Sequence, residues 1–276
     1  MTLPELHWMV VTDLDGTLMS HDDYSLNGIK AVADMLTTQN IPVVFNTSKT
    51  YSESRTIQQL LGIDAPFIVE NGSCLFLPCS DYKEAPLAAV RRDEFWSVSL
   101  GQTQQYISAI LDQIKATYHE YKALSECTTA QAVALTGLTQ QQAAQAISRE
   151  FSEPLIWQGS QDAKQAFIAA LSEYNLTTLQ GGRFLHVLGQ TDKGRAMQAL
   201  LDCHDTQIKT IVLGDSANDM AMLKRADIAI VVRSPANQHM EQIIHPHFKT
   251  DAPAPEGWIE GVTKALQQIK TNQESL

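Results

Sequence analysis

Short apolar runs that alternate with helical patterns are the feature of this sequence that most constrains its fold. A continuous run of this length is typical of a strand that is buried on both faces. Strands that alternate with helices form a parallel sheet with helices on both sides. The two ends of the chain therefore predict an α/β fold with a Rossmann-like parallel-sheet core. The runs are WMVVT (8–12), IPVVFN (41–46), PFIVE (66–70), TIVLG (210–214) and IAIVV (228–232).

The middle of the chain has a different pattern, in which longer amphipathic helices are separated by shorter strand candidates. We therefore predict a separate α/β unit over residues 85–187, inserted into a core domain formed by residues 1–84 and 188–276. The candidates in this inserted unit include a helix over 139–151 and strands over 154–159 and 183–189.

Composition excludes several classes of protein. The net charge of -11 argues against a general nucleic-acid binder, although a local basic pocket still permits an anionic substrate. Four cysteines without a CxxC pair fit a reduced, cytoplasmic setting and indicate neither a disulfide framework nor a zinc site. No apolar run reaches the roughly 18 residues of a membrane span. The N-terminus also lacks the basic segment of a signal peptide.

Acidic residues follow two of the strand candidates. Asp13 and Asp15 follow the first strand in VVTDLDGT, and Asp215 and Asp219 follow a later one in LGDSANDMAML. A turn and a helix N-cap are the ordinary alternatives for such positions. A calcium loop does not fit, because the glycine falls at the fourth position of the motif, where an EF-hand needs it at the sixth. Parallel strands end at one edge of a sheet, so these carboxylates are expected to converge there, where oxygen ligands without His or Cys favour Mg²⁺.

Two polar motifs supply candidate phosphate ligands at the same edge. TDKGRA places Lys193 at the start of a helix, where the helix dipole favours an anion. Taken alone, Lys193 is more simply an ordinary surface lysine. The string GQTDKG is not a P-loop, because Arg and Ala follow where that motif needs Lys and then Ser or Thr. The second motif, NTSKT, offers hydroxyls, backbone N–H groups and an ammonium from Thr47, Ser48 and Lys49.

The motifs DLDGT, TSK, DKG and GDSANDMAML, in that order, resemble those of the haloacid dehalogenase superfamily of phosphohydrolases. The long insertion before the lysine motif is similar to the large α/β cap of subclass IIB. The strings NTSKT, ENG, GLTQQQAAQAISREFSEP and GGRFLHV resemble the family of mannosyl-3-phosphoglycerate phosphatases. The resemblance covers nearly the whole chain. It departs where Asn46 or Thr47 stands in place of a serine, and the hydroxyl of serine or of threonine can bind phosphate.

The resemblance implies a reaction through an aspartyl-phosphate intermediate. Asp13 would attack phosphorus, while Asp15 would protonate the leaving oxygen and later take a proton from the hydrolytic water. Asp13, the backbone carbonyl of Asp15 and Asp215 would hold Mg²⁺, with Asp219 in support.

By the same resemblance, Thr47, Ser48 and Lys193 would bind the phosphoryl oxygens and offset the charge that develops on them. Gly16 would let the chain turn after the nucleophile. Thr17 would donate a hydrogen bond that orients Asp15.

A glycosyl-phosphoglycerate carries a carboxylate and a sugar besides its phosphate, so further residues must bind them. An arginine fork binds a carboxylate bidentately, which a lysine cannot do. For Arg149 the alternative is a helix-face pair with Glu150 or Glu153, worth under about 1 kcal/mol. The expected substrate-binding residues are Lys49, Asn71, Arg149, Glu153, Gly182 and Arg183.

The sequence therefore predicts a Mg²⁺-dependent phosphomonoesterase that dephosphorylates mannosyl-3-phosphoglycerate or glucosyl-3-phosphoglycerate. One alternative is a phosphatase of another sugar phosphate, such as sucrose phosphate or a hexose phosphate. The other is a non-catalytic regulatory protein on the same fold. We expect a cytoplasmic monomer or homodimer whose partner is a phosphorylated small molecule, without nucleic acid or membrane.

Overall fold

The computed structural model describes residues 8–82, 84–86, 88–181, 184–235 and 246–274. The strands, in chain order, are β1 (Trp8–Thr12), β2 (Val43–Asn46), β3 (Phe67–Val69), β4 (Cys74–Pro78), β5 (Val90–Arg92), β6 (Phe95–Ser99), β7 (Tyr121–Ala123), β8 (Ser152–Trp157), β9 (Leu176–Gly181), β10 (Phe184–Gly189), β11 (Lys209–Gly214), β12 (Ile228–Arg233) and β13 (Phe248–Pro253).

Helices connect most of these strands, and two short 3₁₀ turns cover Leu124–Glu126 and Ala217–Asp219. The α-helices, in chain order, are α1 (Ile29–Thr38), α2 (Tyr51–Leu61), α3 (Gln104–Ile114), α4 (Thr129–Thr136), α5 (Gln140–Ile147), α6 (Gln161–Ser172), α7 (Lys193–Leu201), α8 (Met220–Leu223) and α9 (Glu256–Glu274).

The larger sheet has the predicted parallel core. Across the described residues its nine strands follow the order β13-β12-β11-β1-β2-β3-β4-β6-β5. Neighbours from β13 to β3 are parallel, and β4, β6 and β5 extend the sheet with antiparallel pairs. The central strand β1 has β11 on one side and β2 on the other. The segments that follow these three strands therefore meet at one edge of the sheet, and the predicted Rossmann-like fold is confirmed.

The side chains of β1 alternate between the two faces of the sheet, as the two-residue period of a strand requires. Val10 packs into a core with Ile29 of α1 and Trp258 of α9 on one face. Val11 packs on the other face, against Met197 of α7. Both faces of β1 are therefore buried, which accounts for its continuous apolar sequence.

A second sheet forms the cap. Its described strands are antiparallel and follow the order β7-β8-β10-β9. Leu185 and Val187 of β10 pack with α3 and α6 on one face. The intervening His186 therefore points to the opposite face, which covers a cavity above the core.

The edges of the cap differ from the expected ones. Strands β5 and β6 were expected in the cap, since its start was predicted at residue 85, but they pair with the core sheet. Phe95 explains this pairing, because its fully buried ring packs edge-on against Phe67 of β3, with centroids 5.2 Å apart. The separate sheet therefore begins after residue 99, and the division into two domains stays a prediction.

One predicted helix is also shorter in the structure. The helix expected over 139–151 ends at Ile147, and β8 already begins at Ser152. The intervening segment is drawn away from the helix by hydrogen bonds to the core, described below.

Every helix in the described parts of the chain is too short or too polar to cross a membrane.

Candidate active site

The carboxylate of Asp13 lies at the end of the central strand β1 and forms an ion pair with Lys193. The Nζ atom of Lys193, in the first turn of α7, donates to Asp13 Oδ1 and to Asp219 Oδ1, each at 2.6 Å. The amide of Asn46 donates to the backbone carbonyl of Lys193 at 2.8 Å and ties α7 to the end of β2. Lys193 is only 1% exposed, so it is a buried counter-charge and not the surface lysine of the alternative interpretation.

Three carboxylates meet at this point and form a set of ligands suited to Mg²⁺. One oxygen each from Asp13, Asp215 and Asp219 lies within 4.8 Å of the others. The ammonium of Lys193 bonds to two of these three carboxylates, so two negative charges remain for a cation when all three are ionised. Oxygen ligands without sulfur or nitrogen match the preference of Mg²⁺. The residues present therefore fit the predicted metal.

Asp219 has a supporting position in this set. Its Oδ1 accepts from Lys193, and its Oδ2 accepts from the backbone N–H groups of Asp215 and Ser216, each at 3.0 Å. Both oxygens are thus already bonded to the protein. Asp13 and Asp215 are the carboxylates better placed to coordinate an ion directly.

Burial dominates the electrostatics of the cluster. It raises the pKa of Asp13 above its usual range, which Lys193 opposes and Asp219 reinforces. Burial followed by the charge of Asp219 raises the pKa of Asp215 to about 6. Burial alone would lower the pKa of Lys193, but Asp13 and Asp219 outweigh it and raise that pKa. A bound cation would relieve the cost of keeping these carboxylates ionised.

The turn after Asp13 is fitted to Asp215. Gly16 has a φ of +78°, and a Cβ there would lie 2.7 Å from Asp215 Oδ2, so the position requires glycine. The hydroxyl of Thr17 donates to Asp215 Oδ1 at 3.1 Å. Thr17 was expected to orient Asp15, but the turn carries its side chain across to β11, where it orients the predicted metal ligand.

Asp15 is paired with Lys49 at the wall of the cavity. Lys49 Nζ lies 2.9 Å from Asp15 Oδ1 and 3.8 Å from Glu53 Oε1. The same ammonium lies 5.4 Å from the ring centroid of Tyr24. Burial alone would lower the pKa of Lys49, but the two carboxylates outweigh it and raise that pKa. Lys49 is therefore a fixed cation beside the predicted acid, within reach of an anionic ligand.

The other residues of the NTSKT motif (46–50), which we call the phosphate loop, face different ways. Ser48 lines the cavity. Thr47 is fully buried and does not line it, because its Oγ1 accepts the backbone N–H of Lys49 at 3.1 Å. Asn71 lines the cavity, and its Oδ1 accepts from the side-chain amide of Asn218 at 3.1 Å.

The cavity lies between the core and the cap and has a volume of about 500 Å³. This volume falls within the range of about 300–1,000 Å³ that is usual for small-molecule sites. Both units contribute to its wall, so a ligand at Asp13 would contact the cap as well. The lining includes Asp13, Asp15 and Lys49 from the core and Arg149, Phe184 and His186 from the cap.

Comparison with known proteins identifies the family. The family model of haloacid dehalogenase-like hydrolases matches residues 10–243, which is more than half of the chain. The chain belongs to the haloacid dehalogenase-like hydrolases. The superfamily predicted from the four motifs is therefore confirmed.

Two relatives cover nearly the full chain. One is a glucosyl-3-phosphoglycerate/mannosyl-3-phosphoglycerate phosphatase of Persephonella marina, 34% identical over 95% of this chain and 98% of its own. A protein of the same name from Methanococcoides burtonii is 32% identical over 92% and 95% of the two chains. Both match at a level that supports the family assignment independently of the family model.

Solved structures of the family share the fold. A superfamily phosphatase from Bacteroides thetaiotaomicron superimposes with a TM-score of 0.69 at 17% identity and covers 96% of this chain and 97% of its own. The sucrose-phosphatase of Synechocystis gives a TM-score of 0.62 at 15% identity, with 96% and 98% covered. At these identities the likeness concerns the fold alone.

The substrate-binding residues expected in the cap were Arg149, Glu153, Gly182 and Arg183. Arg149 lines the cavity, and neither Glu150 nor Glu153 is its partner: its guanidinium donates to the backbone carbonyl of Ser48 at 3.1 Å. Gly182 and Arg183 lie outside the described residues.

Glu153 differs from its expected role. It is 1% exposed and accepts from Gln104 at 2.8 Å and from the backbone N–H of Ser125 at 3.1 Å. Residue 153 points to the helix side of β8, so its carboxylate stabilises the cap instead of contacting a sugar in the cavity.

Sequence reasoning missed two residues of this region. His186 lines the cavity, but a lone histidine in a strand gives no signal of its own. Glu70 is buried between core and cap, and its only signal was its place in the ENG string after a strand. Only the packing of the cap on the core shows what either side chain touches.

Proposed function

We propose that the protein is a Mg²⁺-dependent phosphatase that hydrolyses the phosphate ester of a glycosyl-3-phosphoglycerate. The observation that best supports this reaction is the position of Asp13, which accepts a hydrogen bond from Lys193 and lines the cavity under the cap. The substrate class is supported by the near full-length likeness to two phosphatases that bear the names of glucosyl- and mannosyl-3-phosphoglycerate.

Asp13 is the proposed nucleophile. Its carboxylate oxygen bonds to phosphorus as the bond from phosphorus to the leaving oxygen breaks. Asp15 lines the same cavity; it gives the leaving oxygen a proton and then takes one from the water that hydrolyses the aspartyl-phosphate. The ammonium of Lys193 stays beside Asp13 and offsets part of the negative charge.

Asp13, Asp215 and the backbone carbonyl of Asp15 are the proposed ligands of Mg²⁺, with Asp219 in support. When bound, Mg²⁺ neutralises charge on the carboxylates and the phosphate and polarises a phosphoryl oxygen. Thr17 and Gly16 keep Asp215 in place for this role, the first by a hydrogen bond and the second by the absence of a side chain.

The cap and the cavity wall are proposed to select the rest of the substrate. Arg149 supplies a guanidinium for the glycerate carboxylate, and Lys49 supplies a second cation from the core. Ser48, Asn71 and the GGR segment complete the proposed set, in which Gly182 and Arg183 stay predictions from the sequence.

A substrate panel tests this proposal. Phosphate release is measured for mannosyl- and glucosyl-3-phosphoglycerate, sucrose phosphate, hexose phosphates and an aryl phosphate, each with Mg²⁺ and with EDTA. We expect the highest kcat/KM for a glycosyl-3-phosphoglycerate, loss of all activity in EDTA and its return with Mg²⁺. A higher kcat/KM for sucrose phosphate or a hexose phosphate would make that compound the substrate instead of a glycosyl-3-phosphoglycerate. Full activity in EDTA would contradict the dependence on Mg²⁺.

A further inference from the structure

A buried glutamate of the core holds the segment that leads into strand β8 of the cap. Glu70 follows β3, has a left-handed φ of +50°, and is 1% exposed. Its Oε1 accepts the backbone N–H of Glu150 at 2.9 Å. Its Oε2 accepts the backbone N–H of Phe151 at 3.1 Å and the hydroxyl of Ser152 at 2.6 Å. Three donors of one cap segment thus converge on one core carboxylate.

The same segment carries Arg149. The guanidinium of Arg149 donates to Ser152 Oγ at 3.0 Å and to the backbone carbonyl of Ser48 at 3.1 Å, and it lies 3.8 Å from Glu70 Oε2. Ser48 belongs to the phosphate loop proposed above. Arg149 therefore spans the distance between the phosphate loop and Glu70, and its position depends on both.

Glu70 lies in a turn that also contacts both crossings between core and cap. The chain enters the cap after β6, where the backbone N–H of Gly101 donates to the carbonyl of Ser73 at 3.0 Å. It returns before α7, where the hydroxyl of Thr191 donates to the carbonyl of Gly72 at 2.8 Å. The turn after β3 is thus the place where a contact can fix the cap relative to the phosphate loop.

The carboxylate of Glu70 depends on these donors. Burial raises its pKa, whereas the charge of Arg149 and the hydrogen bonds from the segment oppose that rise. An ionised carboxylate this deeply buried is tolerated only when its oxygens accept several hydrogen bonds. Such bonds to a charged acceptor are also short and strong, as the 2.6 Å contact with Ser152 indicates.

We propose that Glu70 is a positioning residue that fixes the cap segment 149–152 against the core and thereby holds Arg149 beside the phosphate loop for substrate binding. The consequence for substrate rests on the function proposed above, whereas the contact between Glu70 and the segment does not. Glu70 does not touch the reacting atoms, so its effect falls on the binding of the larger part of the substrate.

The substitution Glu70→Gln tests the proposal. Glutamine keeps the shape, but its NH₂ group faces an N–H or O–H donor, so at least one of the three hydrogen bonds is lost. We expect amide hydrogen exchange in the 149–152 segment to become about tenfold faster, while exchange in β11 is unchanged. For the large substrate that the enzyme hydrolyses best, we expect KM to rise about tenfold and kcat/KM to fall accordingly. On a small aryl phosphate, the loss of kcat/KM should be several-fold smaller.

Two further variants make the comparison specific. Glu150→Gln removes an exposed ion pair between the same two units, from Arg92 to Glu150 at 2.7 Å, and is expected to change neither exchange nor KM. Ser152→Ala removes the shortest bond to Glu70 and should shift both quantities in the same direction by a smaller amount. It also supplies the test if Glu70→Gln does not fold.

Unchanged exchange in the 149–152 segment of Glu70→Gln would overturn the proposal. An equal loss of kcat/KM on the large substrate and the aryl phosphate would also overturn it, because Glu70 would then support the whole site. If the native enzyme prefers another sugar phosphate, the substrate proposal fails by itself, and that sugar phosphate serves as the large substrate in this comparison.

Discussion

The side chains of the site place like charges close together, although the repulsion between these charges opposes folding. Asp13, Asp215 and Asp219 are buried side by side, and Lys193 compensates only part of their charge. Breaking a buried ion pair usually destabilises a protein, but removing one of several like charges relieves repulsion. The cluster is therefore better explained by the proposed reaction and the proposed Mg²⁺ site than by stability.

The first prediction concerns Asp13→Asn. Asparagine keeps the shape and can still accept from Lys193, but it lacks the attacking carboxylate, so kcat should fall by at least about 10³-fold. The free energy of unfolding should not decrease. Asp34→Asn, at an exposed residue of α1, is the matched control and should leave kcat unchanged. Near-normal phosphate release by Asp13→Asn would exclude Asp13 as the nucleophile.

The second prediction concerns His186 and pH. Burial, and then the charge of Arg149, lowers the pKa of His186 from 6.5 to about 3. The folded protein thus keeps this ring neutral at pH values where the unfolded chain binds a proton. The contribution of this neutral ring to the free energy of unfolding is complete above pH 6.5. It should decrease as the pH falls from 6.5 towards 3, by about 1.4 kcal/mol per pH unit.

Urea unfolding between pH 7 and about pH 4 measures this slope. His186→Gln should unfold with a shallower pH dependence than the native protein, whereas His119→Gln, at an exposed histidine, should keep the native slope. Identical slopes for all three proteins would show that His186 takes up its proton in the folded state.

At the level of elements, strand β1, which leads to the proposed nucleophile Asp13, is stabilised by the C-terminal helix. The indole Nε1 of Trp258 in α9 donates to Thr12 Oγ1 at 3.1 Å, and this hydroxyl donates to the backbone carbonyl of Asp13 at 2.7 Å. Trp258 is fully buried in the core on that face of the sheet. The helix most distant in sequence from Asp13 therefore contacts the strand that carries it.

The third prediction follows from this contact. Trp258→Phe removes the hydrogen bond and leaves a small cavity, so the free energy of unfolding should decrease by about 1–3 kcal/mol. Trp157→Phe, the same change at a partly buried residue of the cap, should cost less. Because Trp157 also donates a hydrogen bond, an exposed one to the carbonyl of Ser160 at 3.2 Å, equal losses in urea unfolding would mean that the buried bond to Thr12 and the burial of Trp258 contribute no more than this exposed contact.

Helix and strand boundaries show where sequence reasoning succeeds and where it stops. The capping box of Thr50 and Glu53 and the left-handed Gly62 delimit α2 by local interactions, so a pattern close to 52–62 located it. The helix predicted over 139–151 ended early because Glu70, far away in sequence, takes the backbone N–H groups of Glu150 and Phe151. A local sequence pattern contains no information about a hydrogen-bond acceptor that lies this far away in the chain.

At the scale of the whole molecule, residues of both the core and the cap form the candidate active site. The core brings Asp13, Asp15 and Asp215 to one cavity, and the cap closes it with Arg149 and His186. Because the carboxylates repel one another in the absence of a cation, Mg²⁺ should stabilise the fold as well as support the reaction.

The fourth prediction is a thermal shift. Mg²⁺ at a hundred times its Kd should add about 2.7 kcal/mol to the free energy of unfolding and raise Tm accordingly. Asp215→Ala should require much more Mg²⁺ for the same shift, whereas Asp205→Ala, at an exposed residue, should respond as the native protein does. A Tm that is independent of Mg²⁺ in the native protein would contradict a site at this cluster.

The sequence by itself determined the parallel sheet, because continuous apolar runs and amphipathic helices report burial locally. It also determined that Asp13 and Asp215 converge, because parallel strands end at one edge of a sheet. It did not determine which partner each side chain takes.

Tertiary structure alone decided those partners. Thr17 donates a hydrogen bond to Asp215, and Lys49 pairs with Asp15. Glu153 accepts a hydrogen bond from Gln104 within the cap. It also decided that β5 and β6 extend the core sheet, and that Glu70 binds the start of β8. Each of these contacts joins segments distant in the chain, and their energies depend on burial and geometry that exist only after the cap has packed on the core.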